Sequence, residues 1–155
     1  MLIMDFASFE QTQGEFAVRT GLASLDLDLI HQFLTRSYWA AGIPREVVAR
    51  SIQNSLCFGL YRERRQIGFA RVISDLATYA YVADVFVLDE FRGRGLGKFL
   101  MQCVVRHPDL QGLRRWGLAT RDAHRLYEQF GFSALASPER HMERYNQNVY
   151  RQSQP

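Results

Sequence analysis

The stretch that most constrains this chain runs from Val85 to Lys98, with the sequence VFVLDEFRGRGLGK. It begins as an apolar, β-branched run typical of a buried strand, and it continues into a loop with glycine at positions 93, 95 and 97. Beyond the loop, apolar residues recur at spacings of three and four, which predicts a helix with one buried face. A glycine loop that leads into a helix N-terminus can hold a phosphate, because its backbone N–H groups are accessible and the helix dipole favours anions.

The basic side chains of this loop support an anion site. Arg92, Arg94 and Lys98 place three positive charges within seven residues, with no acid among them. A P-loop is excluded because Phe99 stands where that motif needs serine or threonine. A dinucleotide fingerprint that starts at Gly93 would need glycine or alanine at position 98, so it is excluded as well. The pattern that fits is Arg-x-x-Gly-x-Gly over residues 92–97.

Length and composition predict a single domain over residues 1–155. Hydrophobic residues make up 47% of the chain and charged residues 23%, as in ordinary globular proteins. No apolar run approaches the roughly 20 residues of a membrane span, and Met1–Met4 lacks the features of a signal peptide. Cys57 and Cys103 are expected to be buried and free, and a cytoplasmic location is expected.

The net charge of +3 is unevenly distributed. Residues 1–75 contain 8 basic and 8 acidic side chains, whereas residues 76–155 contain 11 and 8, so the excess lies in the half with the glycine loop. Nucleic-acid binding is the rival explanation of a basic protein. The Arg114–Arg115 pair and the cluster at 62–65 lack interleaved aromatic residues, so we expect solvated turns and no nucleic-acid partner.

Periodicity and turn signals predict a mixed α/β domain with the element order β-α-α-β-β-β-α-β-α-β. Residues 1–13 are expected to form a loose arm, and residues 146–155 to fray. The predicted elements are a strand at 16–20, a helix from Asp26 or Asp28 to about Arg36, a helix that starts at Pro44, hairpin strands at 55–61 and 66–74, a strand at 79–88, a helix from Leu96, a strand at 116–120, a short helix capped by Asp122 and stopped by Gly131, and closing strands at 132–135 and about 141–145.

A second motif, Ala123-His124-Arg125-Leu126-Tyr127-Glu128-Gln129-Phe130-Gly131-Phe132, lies on the short helix after the fifth predicted strand. Together with the glycine loop and the element order, it resembles the GNAT superfamily of N-acetyltransferases over roughly residues 14–145. The resemblance implies a mostly antiparallel sheet, splayed between the strand before the glycine loop and the next one, with about four flanking helices. It also implies an acetyltransferase that moves the acetyl group of acetyl-CoA to an amine, without a metal.

The resemblance also implies which residues bind acetyl-CoA. In the superfamily, the strand before the glycine loop pairs with the pantetheine arm, which here points to the backbone of Phe86, Val87 and Leu88. Backbone amides of the loop hold the pyrophosphate. The matching positions are Arg92, Gly93, Arg94, Gly95, Leu96, Gly97 and Lys98.

Tyr127 is the residue that resembles the superfamily's general acid, which protonates the leaving thiolate. A phenol suits this task, since a free tyrosine with a pKa near 10 keeps its proton at neutral pH. From spacing alone, the ring could equally complete the apolar face of its helix.

The general base is less defined by the sequence. Asp84 lies inside an otherwise apolar strand, where a charge needs a partner or a task. It matches the second residue of a Glu-Asp pair found in some relatives, but Ala83 replaces the glutamate. Asp84 could orient the amine, act through a water, or hold an arginine such as Arg71. His124 is a second candidate by its pKa, although a surface position is the simpler expectation.

The acceptor site is expected near the connection between the first two helices. Tyr38 and Trp39 stand there and could line a pocket for an amine, or pack between the helices. Arg71 is a further candidate for this pocket. The histidines lack ligand-like spacing, so no metal is expected. We expect a small-molecule amine as partner and a monomer or homodimer; protein or peptide acetylation and a non-catalytic CoA sensor remain alternatives.

Overall fold

The computed structural model of the protein describes residues 5–151. Its centre is a mixed six-stranded sheet whose strands lie side by side in chain order. The first five strands pair antiparallel, and the sixth is parallel to the fifth. The strands are β1 (Glu10–Gln13), β2 (Phe16–Thr20), β3 (Leu56–Arg62), β4 (Arg65–Ser74), β5 (Tyr79–Val87) and β6 (Arg115–Gly117).

Helices cover both faces of this sheet. They are α1 (Leu27–Leu34), α2 (Arg45–Gln53), α3 (Leu96–Arg106) and α4 (His124–Glu128). On one face, Phe58 and Phe99 belong to a buried cluster in which α3 packs on the sheet. On the other face, Ile30 of α1 packs with Phe69 and Phe86. Because both faces are covered, β3 and β4 read as nearly continuous apolar runs.

Local signals explain where the helices begin. The Asp26 side chain accepts a hydrogen bond from the Leu29 N–H at 3.0 Å and caps α1. Pro44 is the residue immediately before α2, where its fixed φ is compatible with a helix start. Gly95 precedes α3 with a φ of 74°, a left-handed conformation that favours glycine. No helix within residues 5–151 has the length and apolar character required to cross a membrane.

The predicted splay of the sheet is present. β6 pairs with β5 only from Tyr79 to Tyr81. Beyond that point β5 continues to Val87 with β4 on one side, while the chain after β6 diverges on the other. The second half of β5 therefore leaves one backbone edge free of strand pairing.

The N-terminal expectation was wrong for residues 10–13. They form β1, an edge strand that pairs with β2 around a turn at Gly14. The preceding residues are also anchored, since the Ala7 N–H donates to Asp109 Oδ2 at 2.7 Å and the Ala7 carbonyl lies 3.0 Å from His107 Nε2. Met1–Met4, which the predicted loose arm also included, lie outside the described residues.

The expected closing strands were also wrong. Residues 132–135 and 141–145 form no strand, and β6 ends at Gly117 rather than at position 120. Thr120, not Asp122, accepts the hydrogen bond from the Ala123 N–H before α4. Of the C-terminal stretch expected to fray, residues 147–151 form a turn, in which Tyr150 packs against the α1–α2 cluster, and residues 152–155 lie outside the described part.

Candidate functional site

The splay between β5 and β6 opens a cleft of about 1070 Å³. One wall is the second half of β5 with the glycine loop, and the opposite wall is the loop before α4 with α4 itself. The third side is α1 and its connection to α2. Three segments that are far apart in sequence therefore face one cavity.

The glycine loop forms one end of the cleft. Gly93 and Gly95 have φ values of 77° and 74°, and the space around a side chain at either position is open. No side chain caps the N-terminus of α3, and its first turn contains no acid. The first N–H groups of a helix have no partner within it. An uncapped N-terminus that lines a cleft therefore fits the phosphate of a ligand.

The basic side chains of the loop lie in different positions. Arg92 folds back, with its Nε 3.3 Å from both the Val87 carbonyl and Asp89 Oδ1. The guanidinium of Arg94 lies 5.6 Å from the centre of the Phe91 ring. Arg94 and Lys98 are exposed and do not line the cleft. In this conformation, the loop presents mainly its backbone to the cavity.

A β-bulge interrupts β5 in the middle of the cleft wall. The pairing with β4 skips one residue between Phe86 and Ala83, and Asp84 within the bulge has a φ of 53°. Both oxygens of the Asp84 carboxylate are engaged: Arg71 Nε donates to Oδ2 at 2.8 Å, and Trp39 Nε1 donates to Oδ1 at 2.9 Å. The side chains of Asp84 and Arg71 are only 10% and 15% exposed. The bulge is thus fixed by a largely buried ion pair.

Tyr127 lies opposite β5 and is one of the buried residues that line the cleft. Burial raises the pKa of its phenol to about 12, and the nearby Tyr38 and Asp122 add to this shift. Its ring packs against Phe132 at a centroid distance of 6.0 Å. The phenol therefore keeps its proton across the neutral and mildly alkaline range, as a proton donor requires.

The α1–α2 connection closes the other end of the cleft. Phe33 stacks on Phe86 of β5 with ring centroids 3.9 Å apart, which holds the end of α1 against the strand. The Arg121 N–H donates to Tyr38 Oη at 3.1 Å, and the Arg121 guanidinium lies 3.9 Å from the centre of the Tyr38 ring. Tyr38 and Trp39 are 49% and 40% exposed, so they are lining residues more than core residues.

Comparison with known proteins agrees with this architecture. A family model described as an acetyltransferase (GNAT) domain matches residues 53–134, which include the glycine loop, the bulge and Tyr127. The chain belongs to the GNAT acetyltransferase family. A curated Gibberella zeae protein named as an acetyltransferase is 32% identical over 139 residues, which cover 75% of this chain and 77% of that protein.

Solved structures place the fold of this GNAT acetyltransferase among related enzymes. A GNAT-family protein from Xanthomonas campestris pv. campestris is 53% identical, with a TM-score of 0.85 over 87% of this chain and 96% of that one. A Clostridium acetobutylicum protein solved with acetyl-CoA is 13% identical, with a TM-score of 0.62 over 84% and 96%. The second likeness concerns the fold alone.

The cleft of this acetyltransferase brings together most of the residues that the sequence predicted. Tyr127 and the acceptor candidates Tyr38 and Trp39 line it. The predicted acetyl-CoA residues that line it are Phe86, Val87, Leu88, Arg92, Gly93, Gly95, Leu96 and Gly97. Asp84 and Arg71 lie behind the wall as an ion pair, and His124 is exposed outside the cleft lining.

Several lining residues were not expected from the sequence. Arg36, Phe33 and Arg121 all face the cleft. A signal for Arg121 was available, since it lies in the loop between β6 and the helix that carries Tyr127. Arg36 and Phe33 gave no comparable signal, because their position depends on how α1 packs on β5. Within the described part of the chain, no group of three His, Cys, Asp or Glu side chains could hold a metal ion.

Proposed function

We propose that this protein transfers the acetyl group of acetyl-CoA to the primary amine of a small molecule by direct attack of the amine on the thioester. The observation that carries the proposal is that one cleft is lined by the uncapped N-terminus of α3, the free edge of β5 and the buried phenol of Tyr127. The GNAT family uses acetyl-CoA as its acetyl donor, and these three features suit its phosphates, its extended arm and its thiol.

In this proposal, the backbone of the glycine loop binds the diphosphate. The N–H groups of Leu96 and Gly97, in the first turn of α3, supply the helix end, and Gly93 and Gly95 keep side chains away from the ligand. Arg92 takes part through its backbone, since its side chain bonds to the end of β5 and to Asp89. Arg94 and Lys98 contribute positive potential near the loop.

The second half of β5 supplies the hydrogen bonds for the extended arm and for the reacting carbonyl. The Leu88 N–H donates to the Ile67 carbonyl at 2.8 Å, on the β4 side. Backbone N–H groups alternate between the two edges of a strand, so the N–H of Val87 faces the cleft. We assign to this edge of β5 the stabilisation of the negative charge that develops on the thioester oxygen.

Tyr127 acts as the general acid. It donates its phenolic proton to the thiolate that leaves when the amine nitrogen forms its bond to the acetyl carbon and the carbon–sulfur bond breaks. The raised pKa of Tyr127 keeps this proton in place until the thiolate, a stronger base than a carboxylate, is released.

Asp84 acts in this proposal by fixing the bulge of β5 and the Trp39 side chain, because both carboxylate oxygens already accept hydrogen bonds. This contact pattern favours one of the roles that the sequence left open, the holding of Arg71. A direct base role would require the carboxylate to exchange one of these partners for the amine or for a water.

Binding and turnover test the proposal separately. Isothermal titration should show acetyl-CoA binding, and thiol release should increase when a suitable amine is added. Tyr127→Phe should lower kcat by about 100-fold or more, the usual contribution of general acid catalysis, with little change in acetyl-CoA affinity. Wild-type kcat should not decline up to about pH 10, because the phenol remains protonated there. An unchanged kcat in Tyr127→Phe would remove Tyr127 from the acid role.

The same assay separates the alternatives. Thiol release with peptides but with no small amine would indicate a peptide acetyltransferase. Acetyl-CoA binding without turnover on a panel of polyamines, amino sugars, amino acids and peptides would favour a CoA sensor. The buried and correctly placed Tyr127 supports catalysis, since a sensor would not require a proton donor.

A further inference from the structure

The two ends of the cleft differ in function if acetyl-CoA binds as proposed, and the following inference rests on that function. The glycine loop marks the diphosphate end, at the last residue of β5. The bulge at Asp84 lies three residues earlier in β5 than Val87, and Trp39 bonds to it directly. The acceptor must therefore approach from the side of the α1–α2 connection and the loop before α4.

The charged side chains at this acceptor end are unbalanced. Arg36 and Arg121 both line the cleft, and Asp122 is the acid that accompanies them. Arg36 forms no ion pair with any carboxylate of residues 5–151. Arg121 contacts Asp122 at 3.5 Å, but both side chains are 65% exposed, so this pair is weak. Two guanidinium groups are thus available to a ligand.

Acids that could bind an additional ammonium group are scarce at the same end. Both oxygens of Asp84 are occupied by Arg71 and Trp39, and its side chain is nearly buried. A polycation would therefore meet two arginines and only one exposed carboxylate, Asp122. Guanidinium groups instead match carboxylates and phosphates, to which they donate paired hydrogen bonds.

The aromatic residues at this end are fixed in place. The Trp39 indole is held by Asp84, and the Tyr38 ring packs edge-on against it with a centroid distance of 5.1 Å. The Tyr38 ring is also stacked by Arg121. This arrangement orients the Arg121 guanidinium over the cleft mouth and reduces the conformational freedom lost when it binds an anion.

We propose that the acetyl acceptor is a primary amine that also carries a carboxylate or a phosphate, and that Arg36 and Arg121 bind this anionic group beside Tyr38 and Trp39. The amine then faces the thioester and Tyr127, while the anion remains at the mouth of the cleft. Arg36 and Arg121 are specificity-determining residues and take no part in proton transfer.

Matched acceptors test the proposal with the wild-type protein and saturating acetyl-CoA. Thiol release is measured with L-phenylalanine, phenylalaninamide and phenethylamine, with O-phosphoethanolamine and ethanolamine, and with spermidine. Phenylalaninamide is less basic than phenylalanine and phenethylamine is more basic, so a preference for the carboxylate cannot arise from amine basicity. We expect kcat/KM to be about 10- to 100-fold higher for the anionic member of each set, the usual effect of a charged hydrogen bond. The two anionic probes also distinguish carboxylate from phosphate recognition.

Variants test the assigned residues. Arg36→Gln and Arg121→Gln should each lower kcat/KM for the anionic acceptors by about tenfold or more, mainly through KM, with unchanged acetyl-CoA affinity. Arg36→Lys should restore part of the loss, since it keeps the charge without the planar fork. The control is Arg144→Gln, which removes an exposed arginine outside the cleft and should alter neither constant.

A binding measurement keeps the test decisive if turnover is slow. Trp116→Phe removes the only other tryptophan, so the fluorescence of Trp39 reports acceptor binding to the CoA-saturated protein. Binding or turnover that favours the neutral or cationic probes would overturn the inference and leave acetyl transfer intact. Anionic probes that neither react nor bind at about 10 mM, tenfold above the usual KM range, would also overturn it. A protein that fails to bind acetyl-CoA would refute the proposed function itself.

Discussion

The ion pair between Asp84 and Arg71 allows the role of Asp84 to be measured. Asp84→Asn removes the charge but keeps a carbonyl oxygen for Trp39, and asparagine tolerates the positive φ of this position. The change leaves the Arg71 guanidinium, which is 15% exposed and also donates to Ser55 Oγ at 3.2 Å, without a counter-ion. The variant therefore isolates the electrostatic contribution of Asp84.

The expected loss of stability follows from burial. Breaking a fully buried ion pair costs about 3–5 kcal/mol, because one charge remains uncompensated. The Asp84–Arg71 pair retains slight solvent contact, and asparagine still accepts a neutral hydrogen bond, so we expect a loss of about 2–3 kcal/mol in the free energy of unfolding. For a chain of this length, that corresponds to a decrease in Tm of roughly 5–10 °C.

Chemical denaturation and kinetics on the same samples provide the assay. Arg71→Gln should destabilise at least as much as Asp84→Asn, and the double variant should be more stable than the sum of the single losses predicts. Glu15→Gln is the matched control, because the Glu15–Arg62 pair is similarly close at 3.0 Å but 49% and 45% exposed; its loss should stay below about 1 kcal/mol.

Two results would refute this reasoning. Asp84→Asn with wild-type stability would show that the ion pair contributes little to the fold. A decrease in kcat of more than about 100-fold at wild-type stability, typical of a lost general base, would assign Asp84 to proton transfer. We expect kcat to decrease less than about tenfold, since Asp84 positions the bulge and Trp39 without moving a proton.

Two further predictions concern other parts of the chain. His107 is fully buried, and burial lowers its pKa. Below the unfolded pKa of about 6.5 the unfolded chain takes up a proton that the folded state excludes, so the free energy of unfolding should fall with acid. Urea denaturation between about pH 5 and 7.5 measures this slope, and His107→Gln should flatten it. Gly97→Ala should stabilise the free protein by roughly 0.5–1 kcal/mol, because alanine favours a helix, yet weaken acetyl-CoA binding, since Gly97 lines the cleft. Denaturation combined with titration measures both signs; stronger acetyl-CoA binding would contradict the assigned role of Gly97.

The best-predicted region was the one whose signals are local. The strand before the glycine loop was expected at 79–88 and is found at Tyr79–Val87, and α3 begins at Leu96 as expected. These limits depend on glycine conformations and on the periodicity of neighbouring residues, which the sequence displays directly. The burial of Tyr127 could likewise be predicted from the periodicity of its helix.

The failures occurred where structure depends on distant partners. Strand β1 is polar, and only the Gly14 turn marks it as part of a hairpin. Residues 132–135 have strand-like composition, but the Phe132 ring packs against Trp116 and Tyr127 instead of extending a sheet. A strand forms only where an edge accepts it. The contact between Trp39 and Asp84 spans 45 positions in the chain, so no local pattern could reveal it.

One strand links the fold of this acetyltransferase to its candidate site. The first residues of β5 pair with strands on both sides, and from Val82 onward the strand pairs with β4 alone. The bulge at Asp84 adds a residue within this second half, and bulges increase the local twist of a strand. The same irregularity therefore accompanies the divergence of the sheet and brings Trp39 to the cleft wall. Because the Asp84 carboxylate holds this bulge, a residue with no place in the cavity lining can still determine the geometry of the acceptor end.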